Sequence, residues 1–390
     1  MTSPLSSRLR AALDQQRRAN QLRELETVRG PQGREIEING KRLINFCSND
    51  YLGLCNHPEL KAAARDAIAS YGVGSGAAQL LSGRSEQHQL FEQELTEYLG
   101  YEAALIYSSG YLANLGILSG LLSRQDVVHH DKLNHASLID GVKLSQATSK
   151  RYRHLDVAAL AANLRRYEDR QQWVVTDGVF SMDGDIAPLP EISLRAQQTK
   201  ATLIVDDAHG FGVLANGRGT GAHYGLTMQQ VPILIVTFGK ALGTHGAAVL
   251  GEKDLIEYLV QKSRTFIYDT ALPAANMASS RAALQLLRST NLVEELDSKV
   301  ALFKQLCREA NLAETGSTSA IQPLLMGSEE RAIAASAYLR DKGFYVRAVR
   351  PPTVPRGTSR LRVCLSCDHR ADDIELLVTT IGQFLENDRS

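Results

Sequence analysis

The chain has 390 residues, of which 44% are hydrophobic, and its 43 Lys plus Arg balance 43 Asp plus Glu to a formal net charge of zero. That balance excludes the basic surplus of a nucleic-acid binder and leaves small anions to be held by local sites. The longest apolar stretch, near Leu112–Leu122, is broken by Asn114, Gly116, Ser119 and Gly120 and falls short of the roughly 18 residues of a membrane span. With no apolar signal core after Met1, the expectation is a cytoplasmic protein with no membrane partner. At roughly 150 residues per domain, the length suits about two or three structural units.

Ser6–Leu25 reads as an amphipathic helix, and Arg34–Phe46 alternates around Asn39-Gly40, a hairpin signal. Residues 1–48 are taken as an N-terminal arm, able to pack on a partner subunit or cover an active site. A large domain follows over 49–287. Pro58–Tyr71 and Gln87–Leu99 have helical character. Ala103–Tyr107, Val127–His130, Trp173–Thr176, Leu203–Val205 and Ile233–Thr237 are short apolar runs bounded by polar residues or glycine. Such runs fit a mostly parallel sheet covered on both faces, whose ligands bind beyond the carboxyl ends of the strands. A smaller C-terminal α+β domain is expected over 288–390. Its helices are Leu292–Leu312, Glu330–Lys342 and Ala371–Leu385, and its strands Phe344–Val349 and Arg360–Leu365, the last read as half-buried from its alternation. Five cysteines are an odd count for a disulfide framework. Cys364-x-x-Cys367 lacks a nearby second ligand pair, so ordinary strand positions are the plainer reading.

The strand ends hold the residues that carry chemistry. Leu203–Val205 runs into Asp206, Asp207, His209 and Gly210; acids there cap helices or bind metals as readily as they act in a site. Ile235–Thr237 runs into Phe238, Gly239 and Lys240. A nucleotide phosphate loop is excluded, because Leu234 stands where its first glycine would be and Ala241 follows the lysine. A lysine at a buried strand end suits a Schiff base. Tyr107-Ser-Ser-Gly110-Tyr111-Leu-Ala-Asn114 joins a strand to a helix whose free N–H groups make an anion site, or simply an ordinary turn. His129, His130, Asp131 and His135 suggest either a metal cluster of no standard spacing or a ring stacked on a flat cofactor. Asp177 to Asp185 is a further strand end rich in polar residues. A helix N-terminus, a carboxylate, polar donors, a lysine and a stackable ring together answer the needs of pyridoxal 5′-phosphate (PLP).

In order, Asn49–Leu54, Asp131–Ser137, Asp177–Asp185, Asp206–Gly210 and Thr237–Gly243 resemble the motifs of the α-oxoamine synthases, fold-type I PLP-dependent transferases, over nearly the whole chain from about Leu22. The segment Arg350–Arg362 is most similar to the biotin-pathway branch. That branch condenses L-alanine with a pimeloyl thioester of coenzyme A or acyl carrier protein. The resemblance implies roles residue by residue. Lys240 would hold the cofactor and act as base, and Asp206 would pair with the ring nitrogen. His209 and Ser181 would hold the phenolic oxygen, and His135 would stack on the ring. Gly110, Tyr111, Thr237 and Thr270 would bind phosphate. Arg362, Asn49 and His135, with Arg350 as a second candidate, would hold the amino-acid carboxylate. Arg23 and Thr353 would meet the acyl substrate, and a homodimer is implied. The chain departs from the family at Asp177, where glutamate is common, and at Asp269–Ala274, which has an acid where serine or threonine is common. The rival readings are a glycine-using member such as 2-amino-3-ketobutyrate ligase or 5-aminolevulinate synthase, a catalytically silent PLP-fold binding module, and a metal enzyme built on the histidine cluster.

Overall fold

A computed structural model describes residues 3–313 and 315–388. They divide into two compact units, Asn49–Asp297 and a second made of Met1–Ser48 with Ser298–Ser390.

The second unit begins with a helix over Pro4–Arg18, capped by the Ser3 hydroxyl, which accepts from the Ser6 N–H at 3.1 Å. The helix stops well before Leu25, because Asn20 takes a left-handed conformation (φ 53°) and its N–H closes on Arg17. The strands Val28–Arg29 (β1), Glu35–Ile38 (β2) and Lys41–Asn45 (β3) follow. Asn39 and Gly40 both have positive φ, as the tight hairpin between β2 and β3 requires.

The Asn49–Asp297 unit contains a seven-stranded sheet: Ala103–Tyr107 (β4), Val127–Asp131 (β5), Thr148–Tyr152 (β6), Gln172–Asp177 (β7), Thr202–Asp206 (β8), Ile233–Thr237 (β9) and Ala247–Gly251 (β10). Their order is β4-β10-β9-β8-β7-β5-β6. All run parallel except β10, which is antiparallel to both its neighbours. The five strands expected from the sequence are all present. Two more were not anticipated: β6, a polar edge strand, and β10, rich in alanine. The helices Gly110–Leu121 and Ala136–Ser145 supply Ile117, Leu118, Leu138 and Val142 to a core built with Val128, Val175, Ile204, Ile235 and Val249 of the sheet.

The rest of the second unit adds Ile321–Gly327 (β11), Phe344–Tyr345 (β12), Ala348–Val349 (β13) and Ser359–Cys364 (β14). Four differences from the sequence reading appear here. Residues 1–48 compact with the C-terminal segment, since β12 pairs in parallel with β3. The boundary falls after Asp297 where 287 was expected. The single strand expected over Phe344–Val349 is split between two sheets, β12 pairing with β3 and β13 with β14. Nor is β14 half-buried: it is the middle strand of the order β11-β14-β13, and Arg360 is only 3% exposed.

Candidate active site

The carboxyl ends of β7, β8 and β9 open on a cavity of about 270 Å³ in the Asn49–Asp297 unit. Seven of the expected site residues line it: Gly110, Tyr111, His135, Asp206, His209, Thr237 and Lys240. Asn114, Ser137 and Asp177, with Ser109 and His245, add to its polar wall.

Asp206 ends β8 and is 4% exposed. Asn114 Nδ2 donates to its Oδ2 at 2.6 Å, and the Ala208 N–H donates to its Oδ1 at 3.1 Å. Asn114 Nδ2 also donates to the Ser137 hydroxyl at 2.8 Å, so the carboxylate is tied to two neighbouring helices. Asp177, at the end of β7, accepts the His135 N–H at 2.8 Å. Burial, then the neighbouring Asp206 charge, holds the Asp177 carboxyl well above its ordinary pKa. The His135 imidazole meets the Ser137 hydroxyl at 2.7 Å through Nδ1. Burial pushes its pKa down, against the Asp206 charge, which keeps the ring neutral near pH 7, as a stacking surface should be.

Tyr51 accounts for the orientation of His209: its hydroxyl lies 2.7 Å from Nδ1. Asp50 in turn fixes the Tyr51 turn, accepting the N–H groups of Leu54 at 2.9 Å and Cys55 at 3.1 Å. Lys240 is half-buried in the turn between β9 and β10, which closes through Phe238 N–H to Gly246 O and Thr244 N–H to Phe238 O, each 2.9 Å.

On another wall, the helix Gly110–Leu121 begins with its N-cap Ser109 accepting from Leu112 N–H at 3.2 Å. The N–H groups of its first turn have no partner within the helix. A Cβ at Gly110 would lie 2.5 Å from Thr237 Cγ2, so only glycine lets this helix end come against Thr237.

Other expected residues lie elsewhere. Ser181 and Asn49 are in this unit but not in the cavity lining; Asn49 Oδ1 receives the Tyr51 hydroxyl at 3.3 Å. Thr270 is exposed and bridges to Ala78, away from the lining, while the Ser108 hydroxyl donates to Asp269. In the second unit, Arg23 donates to the Thr353 hydroxyl at 3.1 Å. Arg350 donates to the carbonyls of Asn20 and Leu22, and Arg362 to Cys364 Sγ at 2.8 Å. The histidines of the supposed metal cluster are otherwise engaged: His129 meets Gln172 at 2.7 Å and His130 meets Ser149 at 2.8 Å. Among the described residues, no group of three or more His, Cys, Asp or Glu is placed to hold a metal.

The donor set fits PLP. An amine, a buried carboxylate pinned by two donors, a neutral imidazole and a helix start beside a threonine hydroxyl face one cavity. Asn114 Oδ1 there is buried without a hydrogen-bond partner. Lys240 would carry the cofactor, Asp206 would meet its ring nitrogen, and Gly110, Tyr111 and Thr237 would receive its phosphate. The sequence reading assigned no part to Asn114, Ser137, Tyr51 or Asp177, although all four stand inside motifs that it singled out.

The class I and II aminotransferase family model matches residues 41–381. An 8-amino-7-oxononanoate synthase of Nitrosococcus oceani is 48% identical, over 92% of this chain and 96% of its own length. One of Cellvibrio japonicus is 44% identical, over 99% and 98%. Among solved structures, a serine palmitoyltransferase of S. paucimobilis with a bound PLP–myriocin adduct superposes with a TM-score of 0.92 at 28% identity, covering 99% of both chains. An 8-amino-7-oxononanoate synthase of Francisella tularensis does so with a TM-score of 0.78 at 32% identity, covering 89% of this chain and 99% of its own.

Proposed function

Because the chain belongs to the 8-amino-7-oxononanoate synthases, a PLP-dependent branch of the class I and II aminotransferase family, we propose that it condenses L-alanine with a pimeloyl thioester, releasing carbon dioxide, the thiol carrier and 8-amino-7-oxononanoate. The observation that carries the reading is Asp206, buried, held by Asn114 and Ala208, and facing the cavity that Lys240 also lines.

Bound PLP supplies an aldehyde for amines and an electron-withdrawing ring that stabilises a carbanion beside nitrogen. The Lys240 amine would hold the cofactor, and its Nζ is the base proposed to take the α-proton of alanine. Asp206 would accept a hydrogen bond from the protonated ring nitrogen and so favour the positive charge there. His135, whose pKa burial pushes down, would offer the ring an uncharged stacking face. His209, steadied by Tyr51, and Ser181 donate to the phenolic oxygen. The first-turn N–H groups at Gly110 and Tyr111, with the Thr237 hydroxyl, would bind phosphate, and Thr270, outside this cavity, would reach a phosphate only across a dimer interface. Arg362 is the proposed clamp for the planar carboxylate of alanine, with Arg350 serving at another step. Arg23 and Thr353, already bonded to each other, receive the acyl group.

The same reading includes a homodimer. Val73 (77% exposed), Leu81 (81%) and Tyr268 (72%) are large apolar side chains left open on the Asn49–Asp297 unit, and a second copy would cover them. Among the described residues no helix is long and apolar enough to cross a membrane, and the cytoplasm is the proposed compartment.

Mass spectrometry of products from L-alanine and pimeloyl thioesters of both coenzyme A and acyl carrier protein tests the reaction. The expected product is 8-amino-7-oxononanoate; turnover of glycine alone would assign the chain to another branch. Borohydride reduction followed by digestion should leave a pyridoxyl mass on Lys240.

A further inference from the structure

We propose that His154, as an imidazolium clamped between Asp131 and Asp185, is a positioning residue that locks together the two loops carrying His135 and Ser181. This rests on the reading above that those two side chains face the cofactor ring.

His154 follows the edge strand β6 and lines no part of the cavity. Its Nδ1 lies 3.0 Å from Asp131 Oδ1 and its Nε2 lies 2.7 Å from Asp185 Oδ2. A carboxylate only accepts hydrogen bonds, so each ring nitrogen must bring a proton, and the ring is cationic. Against the cost of burial, the two carboxylates raise its pKa to about 10. The Phe180 ring meets the imidazole edge-on at 4.4 Å. Nothing else charged on its own segment competes: Arg153 bonds Asp156 instead, at 3.0 Å.

Each aspartate organises one loop, Asp131 through its carboxylate and Asp185 through its backbone carbonyl. Asp131, 1% exposed, also accepts the N–H groups of Leu133 and Leu155, each at 2.8 Å. It thereby shapes the turn that delivers His135 to Asp177. Asp185 closes the loop holding Ser181: its carbonyl accepts Phe180 N–H at 3.0 Å, and Gly184 N–H reaches Phe180 O at 2.8 Å. Its other carboxylate oxygen is buried without a hydrogen-bond partner, so the Asp185 side chain is held through its contact to His154. Two loops from different strands are thus joined through one cation.

The test is hydrogen exchange and kinetics of the holoenzyme for His154→Gln, with Asp185→Asn added as the rescuing partner. Glutamine can donate to one carboxylate only and turns its oxygen on the other; the amide introduced by D185N would offer that oxygen a donor. In H154Q, residues 131–135 and 178–187 should exchange about tenfold faster while the sheet strands stay protected. Turnover should fall about tenfold, as expected for a small misplacement of reacting groups, and the double variant should recover both. Nitrogen NMR of the wild-type holoenzyme should find both His154 nitrogens protonated at pH 8. A neutral ring, unchanged exchange in both loops, or faster exchange spread evenly over Asn49–Asp297 would overturn the proposal. Exchange and NMR do not depend on which substrate is turned over, so they fail independently of the substrate assignment.

Discussion

Replacing Asp207 by asparagine should remove a large part of the stability that the Asn49–Asp297 unit loses as pH rises from about 4 to about 7. Asp207 is fully buried next to the site and turns away from the cavity. It accepts the Thr220 N–H at 2.7 Å and the Thr220 hydroxyl at 2.5 Å. Glycines crowd it: a Cβ at Gly219 would lie 2.0 Å from its Oδ2, and one at Gly210 would lie 2.1 Å from its Oδ1. Water therefore has no room beside the charge, and burial raises the pKa from 3.8 to about 7. A carboxyl with a raised pKa holds its proton more tightly when folded. Its contribution is complete below the unfolded value near pH 4, declines as pH rises, and is lost once pH passes the folded value near 7. About three pH units at about 1.4 kcal/mol each make the loss about 4 kcal/mol. Asparagine keeps both bonds, with its oxygen accepting the Thr220 N–H and its amide donating to the hydroxyl, and it has no proton to lose. Denaturant unfolding of both proteins at pH 4.5, 6 and 8 should show the wild type losing ground to D207N by about 3 kcal/mol across that range, the part of the loss that lies above pH 4.5. Parallel curves would show that the charge is carried at no cost, and the reasoning from burial would be wrong.

Three further outcomes are expected. Gly110→Ala puts a Cβ 2.5 Å from Thr237 Cγ2 and should push the helix start off the phosphate site, weakening PLP at least about tenfold in an absorbance titration. Asn114→Ala removes the 2.6 Å donor to Asp206; at about 2 kcal/mol for a hydrogen bond to a charged group, PLP affinity should fall about thirtyfold with little change in acyl-substrate KM. Tyr51→Phe takes away the 2.7 Å partner of His209 Nδ1 and should lower kcat about fivefold, near 1 kcal/mol, while cofactor loading stays complete.

Five sheet strands were readable because each is a short apolar run, buried on both faces and ended by polar residues or glycine. β6 was not, because Thr148–Tyr152 lies at the sheet edge with polar side chains outward, and no apolar run marks such a strand. β10 was missed because Ala-Ala-Val-Leu-Gly has little β-propensity; its place between β4 and β9 makes it a strand. Lys240, Asp206, His135 and His209 stood out for the same local reason, as reactive types directly after strands.

The amino-acid order by itself determined which residues could become buried strands and which reactive groups would sit at their carboxyl ends. Both follow from side-chain type and short-range period. Only the tertiary structure decided the pairings between distant positions: Asn114 against Asp206, Tyr51 against His209, and β3 beside β12. Such contacts depend on where strands and helices settle in space, since a hydrogen bond of 2.6 Å between residues 92 apart leaves no trace in the neighbourhood of either.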